Sequence, residues 1–220
     1  MNEYNKKILL ITTGGTIASV NTKDGLVPAG SEILKNEIEH LRAYYAIEVC
    51  DLMCLDSSNI QPEEWVKIAR CVFDRRAGVD GIVITHGTDT MAYTSSILSF
   101  MLRNIDIPVV LTGAQLPMQN PISDAFDNLR TAFLMAASGR AGVFVAFDRH
   151  VMLGCRAVKV RAESFDAFES VNRRYAARVT TGGLVVDEEV LPHVHGAPML
   201  VDKVSTDVFL IKLTPGLSPR

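Results

Sequence analysis

Two short apolar runs, each closing on a threonine-rich loop of small residues, constrain this chain more than any other feature. Ile8-Leu9-Leu10-Ile11 leads into Thr12-Thr13-Gly14-Gly15-Thr16-Ile17-Ala18-Ser19, and Gly81-Ile82-Val83-Ile84-Thr85 leads into His86-Gly87-Thr88-Asp89-Thr90. Runs of this length, rich in Ile and Val and closed by Gly, read as parallel strands buried on both faces. A loop at the carboxyl end of such a strand is where open α/β sheets bind their ligands. Each loop offers a hydroxyl, and one offers an adjacent carboxylate, a combination suited to acyl transfer.

The rest of the chain alternates in the same way. A strand is expected at Lys7 to Thr12, a long loop from Ser19 to Gly30, and a helix capped by Ser31 and running to about Ala43. A second strand covers Ile47 to Leu52, and Asp56-Ser57-Ser58-Asn59 forms a polar loop. Pro62 stands at a first helical position followed by Glu63 and Glu64, which suit the positive helix end. Trp65, Ile68, Ala69, Val72 and Phe73 follow at helical spacing, which makes Trp65 a core residue.

A helix from Asp89 to about Arg103 is apolar nearly all round, implying deep burial. Strands at Pro108–Thr112 and Gly142–Phe147 flank a helix whose inner face carries Ala125, Leu129, Ala132, Phe133 and Ala136. Repeated βα units demand an open, mostly parallel sheet flanked by helices, of the flavodoxin or Rossmann type, with right-handed crossovers. Met152 to Val160 reads as a β-hairpin excursion, and a strand is expected near Leu184 to Val186. Asp207-Val-Phe-Leu-Ile-Lys-Leu213 is a further apolar strand, read as the opening of a second, truncated domain rather than as a terminal edge.

Composition narrows the function classes. Hydrophobic residues make up 48 % of the 220 residues, enough for a substantial core, and the net charge is −3 with no Lys/Arg block, so nucleic acid is not an expected partner. No apolar stretch approaches a membrane span or a signal sequence, so a cytoplasmic protein is expected. Cys50, Cys54, Cys71 and Cys155 lack redox-pair or zinc spacing and read as free buried thiols. His193 and His195 would share a strand face, but no carboxylate or cysteine cluster adjoins them, so neither metal nor cofactor is expected.

The polar residues of the two loops admit plain readings as well. Gly14 and Gly15 could serve an ordinary tight turn, and Asp89 or Thr90 could cap the following helix. Neither a G-x-G-x-x-G run nor a P-loop occurs, which leaves nucleotide binding little support. His86 reads as structural. Lys159 becomes chemically important only if the fold holds it near Asp89.

These motifs, taken in order, carry a resemblance. Thr13-Gly-Gly-Thr-Ile-Ala18, His86-Gly-Thr-Asp-Thr90 and the Lys159 segment closely resemble bacterial L-asparaginases. Asp56-Ser-Ser58, Met91-Ala-Tyr93, Gly113-Ala-Gln-Leu-Pro117 and Phe165-Asp-Ala-Phe168 point to the cytoplasmic type I branch. The resemblance implies hydrolysis of L-asparagine to L-aspartate and ammonia, with Thr16 as the nucleophile that forms an acyl-enzyme ester. Thr88, Asp89 and Lys159 would activate water and relay protons. Asp56, Ser57 and Ser58 would grip the substrate α-carboxylate, Asp89 would pair with its α-amino group, and the Ala114 carbonyl would face the leaving amide.

The resemblance further implies an N-terminal catalytic domain over 1–185, a linker and first strand of a C-terminal domain over 186–220, and a homodimer or homotetramer in the full-length form. Many members carry a tyrosine on the loop after the first motif. Here Leu26 holds that position, so another residue is expected to assist Thr16. A member of a tRNA-dependent amidotransferase and an amino-acid-binding fragment without turnover are the alternatives.

Overall fold

The computed structural model describes residues 6–23, 25–28 and 30–217. Its centre is an eight-stranded sheet. In chain order the strands are β1 (Lys6–Gly14), β2 (Ser19–Thr22), β3 (Gly25–Pro28), β4 (Tyr45–Leu55), β5 (Gly81–Thr85), β6 (Leu102–Arg103), β7 (Pro108–Thr112), β8 (Gly142–Phe147), β9 (His150–Leu153), β10 (Ala157–Lys159), β11 (Phe168–Ser170), β12 (Ala177–Thr180), β13 (Gly183–Val186) and β14 (Met199–Leu200). The helices are α1 (Lys35–Leu41), α2 (Pro62–Arg75), α3 (Met91–Met101) and α4 (Ala125–Ala136).

The sheet runs β13-β12-β9-β8-β7-β5-β1-β4. β4, β1, β5, β7 and β8 are parallel neighbours, and β9, β12 and β13 extend them antiparallel. The parallel part has the flavodoxin-like order, in which the first strand lies between the second and third. Successive connections therefore leave β1 and β5 toward opposite faces, and a crevice opens between their carboxyl ends.

The apolar runs explain the layers. Alternate β1 side chains point to opposite faces. Ile8 and Leu10 enter one core cluster with residues of α1 and α4, while Leu9 and Ile11 enter the other with α2 and α3. Both faces are thus covered, which is why β1, β5, β7 and β8 read as continuous apolar runs rather than alternating ones. At the start of α2, the Glu64 carboxylate accepts the Gln61 N–H at 3.0 Å, satisfying a donor that the helix itself leaves unpaired.

Several expectations require correction, beginning with the crossovers: the one from β7 to β8 is left-handed, because α4 packs on the face of α1 whereas α3, which steps the same way along the sheet, packs on the other. Ser31 does not cap a helix: its N–H and hydroxyl both bind the Asp51 carboxylate, and a 3₁₀ turn over Gly30–Leu34 precedes the shorter α1. Residues 19–28 are not a plain loop, because β2 and β3 pair antiparallel. Met152–Val160 is not one hairpin. β9 pairs with β8 and β10 pairs with β11, so the run is divided between two hairpins.

The burial of α3 is one-sided. Met91, Ser95 and Leu98 are buried, but Tyr93 and Phe100 are 67 % and 66 % exposed, since the sheet, α2 and β10 cover only the inner side. The thiols are not buried either: Cys50 and Cys71 are half-buried, Cys54 and Cys155 are exposed, and all four are free. His193 and His195 lie outside any strand, with their rings stacked 6.2 Å apart. Residues 207–213 form no strand, because no described segment pairs with them, and Phe209 and Leu210 are 87 % and 89 % exposed. Among the described residues, no helix is long and apolar enough to cross a membrane.

Candidate active site

The crevice at the β1/β5 switch point is built by three loops whose backbones touch. Gly15, at φ 82°, lies so close to the Thr88 loop that a Cβ would fall 2.4 Å from the Gly87 nitrogen. Gly87 in turn lies against Ser57, where a Cβ would meet both Cβ and Oγ at 2.5 Å. Only glycine permits both approaches. Further bonds lock the frame: the Thr13 hydroxyl donates to the Thr85 carbonyl (2.8 Å), the Thr90 hydroxyl to the Ser57 carbonyl (2.8 Å), and the Gly15 N–H to the Leu55 carbonyl (3.1 Å). Thr90 therefore ties the Ser57 loop in place and does not cap α3 with its side chain.

The result is a small cavity of about 60 Å³ lined by Gly15, Thr16, Ser19, Asp56, Ser57, Gly87, Thr88 and Asp89. That is room for a few waters or the head of one small polar molecule. Two wall hydroxyls differ from the rest: those of Thr16 and Ser57 have no hydrogen-bond partner among the described residues and are open to the cavity.

Opposite Thr16 stands a bonded group. The Lys159 ammonium donates to Thr88 Oγ1 at 2.8 Å and to Asp89 Oδ1 at 2.7 Å, and the Thr88 hydroxyl donates to Gln115 Oε1 at 3.1 Å. The β10–β11 hairpin delivers the lysine. Ala157 and Phe168 anchor it in the core, the Phe168 ring lying 4.9 Å from that of Phe147, and alternation along β10 turns Lys159 to the same side as buried Ala157. Asp89 keeps 68 % of its side chain in solvent while Lys159 keeps 17 %, so the carboxylate remains accessible to a second cation.

Behind the Thr88 loop, His86 is fully buried. Its Nδ1 lies 2.7 Å from the Gly87 carbonyl and its Nε2 2.9 Å from Thr94 Oγ1, which also accepts the Trp65 indole N–H at 3.0 Å. Because Thr94 receives the indole proton, its own hydroxyl points at Nε2, and the ring is a neutral Nδ1–H tautomer donating to Gly87. Burial pushes the imidazole down to about 4, only partly offset by the Gly87 carbonyl. His86 is structural, in keeping with its place before the loop's turn. On the other wall, hydrogen bonds from the Ser58 hydroxyl and N–H hold the Asp56 carboxyl below its ordinary range.

Thr16, Thr88, Asp89, Lys159, Asp56 and Ser57 thus converge on one place. Ser58 and Ala114 do not line the cavity. Ser58 serves Asp56, and Ala114 is buried on the loop after β7. The side chain of Leu26 lies outside the described residues. Sequence reasoning misses Ser19, whose hydroxyl donates to the Gly15 carbonyl at 2.7 Å, and Gln115. The only sequence signal for Gln115 is its place within Gly113–Pro117.

Residues 7–191 match the sequence family described as "Asparaginase, N-terminal". The chain belongs to the asparaginase family. It is 47 % identical over 217 residues to an L-asparaginase of Thermococcus kodakarensis, covering 97 % of this chain and 66 % of that protein. A solved structure, the thermostable L-asparaginase from the same organism, superposes with a TM-score of 0.89 at 46 % identity, covering 97 % of this chain and 65 % of that one. A glutamyl-tRNA(Gln) amidotransferase component from Methanothermobacter thermautotrophicus is 35 % identical over 232 residues, covering 96 % of this chain and 51 % of its own length. The chain therefore spans about two-thirds of the length of these asparaginase relatives and about half that of the amidotransferase component.

Proposed function

We propose that this chain carries the catalytic half of an L-asparagine amidohydrolase of the cytoplasmic type I branch. The observation that carries the reading is the convergence of two differently prepared threonines on one cavity: Thr16 with an open hydroxyl, and Thr88 hydrogen-bonded to Lys159 beside Asp89. A threonine hydroxyl attacks an amide only when its proton is removed and the developing charge is held. In this reading Thr16 Oγ1 attacks the side-chain carboxamide carbon, the C–N bond breaks, and ammonia leaves with the proton Thr16 gives up. Water activated by Thr88 and Lys159 then cleaves the ester, releasing aspartate and restoring Thr16.

The substrate is a zwitterion, and each desolvated charge needs a partner. The exposed face of Asp89 suits an α-ammonium group, and the free Ser57 hydroxyl suits an α-carboxylate. Asp56 acts through Ser58, whose donors it accepts, and the Ala114 carbonyl supports the leaving nitrogen from the second layer. The full assembly is a homodimer or homotetramer, with residues 186–220 leading from the catalytic domain toward a second one. The exposed apolar side chains at 208–213 support that assignment.

Membership of a tRNA-dependent amidotransferase is the second reading, favoured by the 35 % identity to such a component. The deciding measurement is ammonia release by the chain from free asparagine. Release supports the amidohydrolase. A chain that gains thermal stability with aspartate, yet frees no ammonia, is a binding module instead.

A further inference from the structure

Gln115 touches Thr88, yet the reaction outlined above gives it no task. Its carboxamide bridges two loops. Nε2 donates to the carbonyls of Ala162 (2.7 Å) and Ser164 (3.1 Å), and Oε1 faces Thr88 Oγ1. Backbone carbonyls only accept, so the nitrogen must face residues 162 and 164. Flipping the amide would set its oxygen against two other oxygens. Since Oε1 accepts only, Thr88 is the donor between them. Lys159 as an ammonium has three donors and no acceptor, and it uses two of them on Thr88 and Asp89. The proton order therefore runs in one direction, from Lys159 to Thr88 to Gln115 to the 162–164 backbone.

The residue is fixed from its other side as well. The Gln115 N–H and the Leu116 N–H both donate to the Asp124 carboxylate, and buried Asn128 holds Asp124 while binding the Gly113 carbonyl. Gln115 is thus a clasp between the loop after β7 and the loop after β10, and that second loop directly follows Lys159.

We propose that Gln115 is a positioning residue for the Thr88–Lys159 pair, keeping the Thr88 proton turned away from the lysine and fastening the Lys159 arm over the cavity. Its catalytic consequence rests on the amidohydrolase reading. Lys159 and Thr88 then stay in contact between turnovers while Thr88 presents an oxygen lone pair, not its proton, to the lysine. Proton transfer from Thr88 to a neutral lysine requires the hydroxyl to rotate off Gln115, which makes the clasp a control on the water-activating step rather than on substrate binding.

Neutron diffraction from deuterium-exchanged crystals of the full chain reads the proton directly. The expected map shows the Thr88 deuteron on the line to Gln115 Oε1 and both amide deuterons facing residues 162 and 164. A Thr88 deuteron aimed at Lys159 or into the cavity, or a reversed amide, overturns the proposal. In kinetics, Gln115→Met is expected to lower kcat roughly ten- to a hundredfold, the range for a catalytic group left out of place, with KM within about twofold. Gln115→Glu keeps an acceptor for Thr88 but loses both donors to the Lys159 arm, and it too lowers kcat. Unchanged kcat in a folded Gln115→Met chain overturns the positioning role. If the wild-type chain releases no ammonia, the amidohydrolase reading fails on its own, and the neutron map still decides the direction of the proton.

Discussion

The two threonines of the site sit at the ends of adjacent strands, yet their hydroxyls are in opposite conditions. Thr88 Oγ1 is engaged by Lys159 and Gln115, and its loop is backed by buried His86 and Thr94, with half-buried Trp65 behind them. Thr16 Oγ1 has no hydrogen-bond partner among the described residues, and its loop is held by its neighbours instead, through the close approach of Gly15 and the hydroxyls of Thr13 and Ser19. A hydroxyl already saturated by neighbours is set to move protons in a fixed array. One without partners is free to bond to an incoming carbon. The difference between the two sites is one of preparation, since residue type and strand position are the same.

The comparison is sharpest for Thr16→Ala. Among the described residues nothing in the fold depends on that hydroxyl, so stability should change by less than about 0.5 kcal/mol. Ammonia release should fall by at least about a thousandfold, as expected for loss of a nucleophile. Substantial residual turnover, measured with the melting temperature on the same sample, would move the nucleophile elsewhere.

Acid should attack the Thr88 side instead. Burial places folded His86 at about 4 against 6.5 for the free side chain, so the unfolded chain binds the extra proton. Its contribution is fully present above pH 6.5 and is lost as the pH falls toward 4. The gap between the two values corresponds to ~3 kcal/mol at most. Urea unfolding at about pH 7.5 and about pH 4.5, with His86→Gln as the control, tests this linkage: the variant should show a shallower dependence.

Thr88→Val should separate the two threonines again. Unlike Thr16→Ala it strips Gln115 and Lys159 of a partner, so about 1–2 kcal/mol of stability should disappear along with turnover. Equal melting temperatures for the two variants would dissolve the contrast. The smallest effect is expected at Thr85, whose hydroxyl is fully buried with no partner among the described residues. Thr85→Val should raise stability by about 1 kcal/mol in chemical denaturation, because it removes an uncompensated polar burial at nearly constant volume.

Legibility from sequence follows the range of the interactions involved. Ile8–Ile11 and Ile82–Ile84 declare their strands because burial on both faces leaves an unbroken apolar run, and the loop positions of Thr16 and Thr88 follow from strand ends. Ser31 misleads, because a serine before a helical pattern looks like a cap, whereas a carboxylate from distant β4 claims it. The β9 and β10 strands mislead for a related reason: each is short, and each pairs away from the other, β9 back onto β8 and β10 forward onto β11. Lys159 stands out in the sequence, but its contact with Thr88 crosses 71 positions and needs the hairpin to exist. Gln115 gives no chemical signal, being an uncharged amide whose role lies wholly in what surrounds it.

The chain has a single tryptophan, Trp65, and its indole proton is bound to the hydroxyl that faces His86. Protonating the imidazole turns Nε2 from acceptor to donor, forces the Thr94 hydroxyl proton to turn away, and sets a positive charge beside the oxygen that accepts the indole N–H. Intrinsic fluorescence at a single wavelength is therefore an optical gauge of the buried wall behind the Thr88 loop, built in without any label.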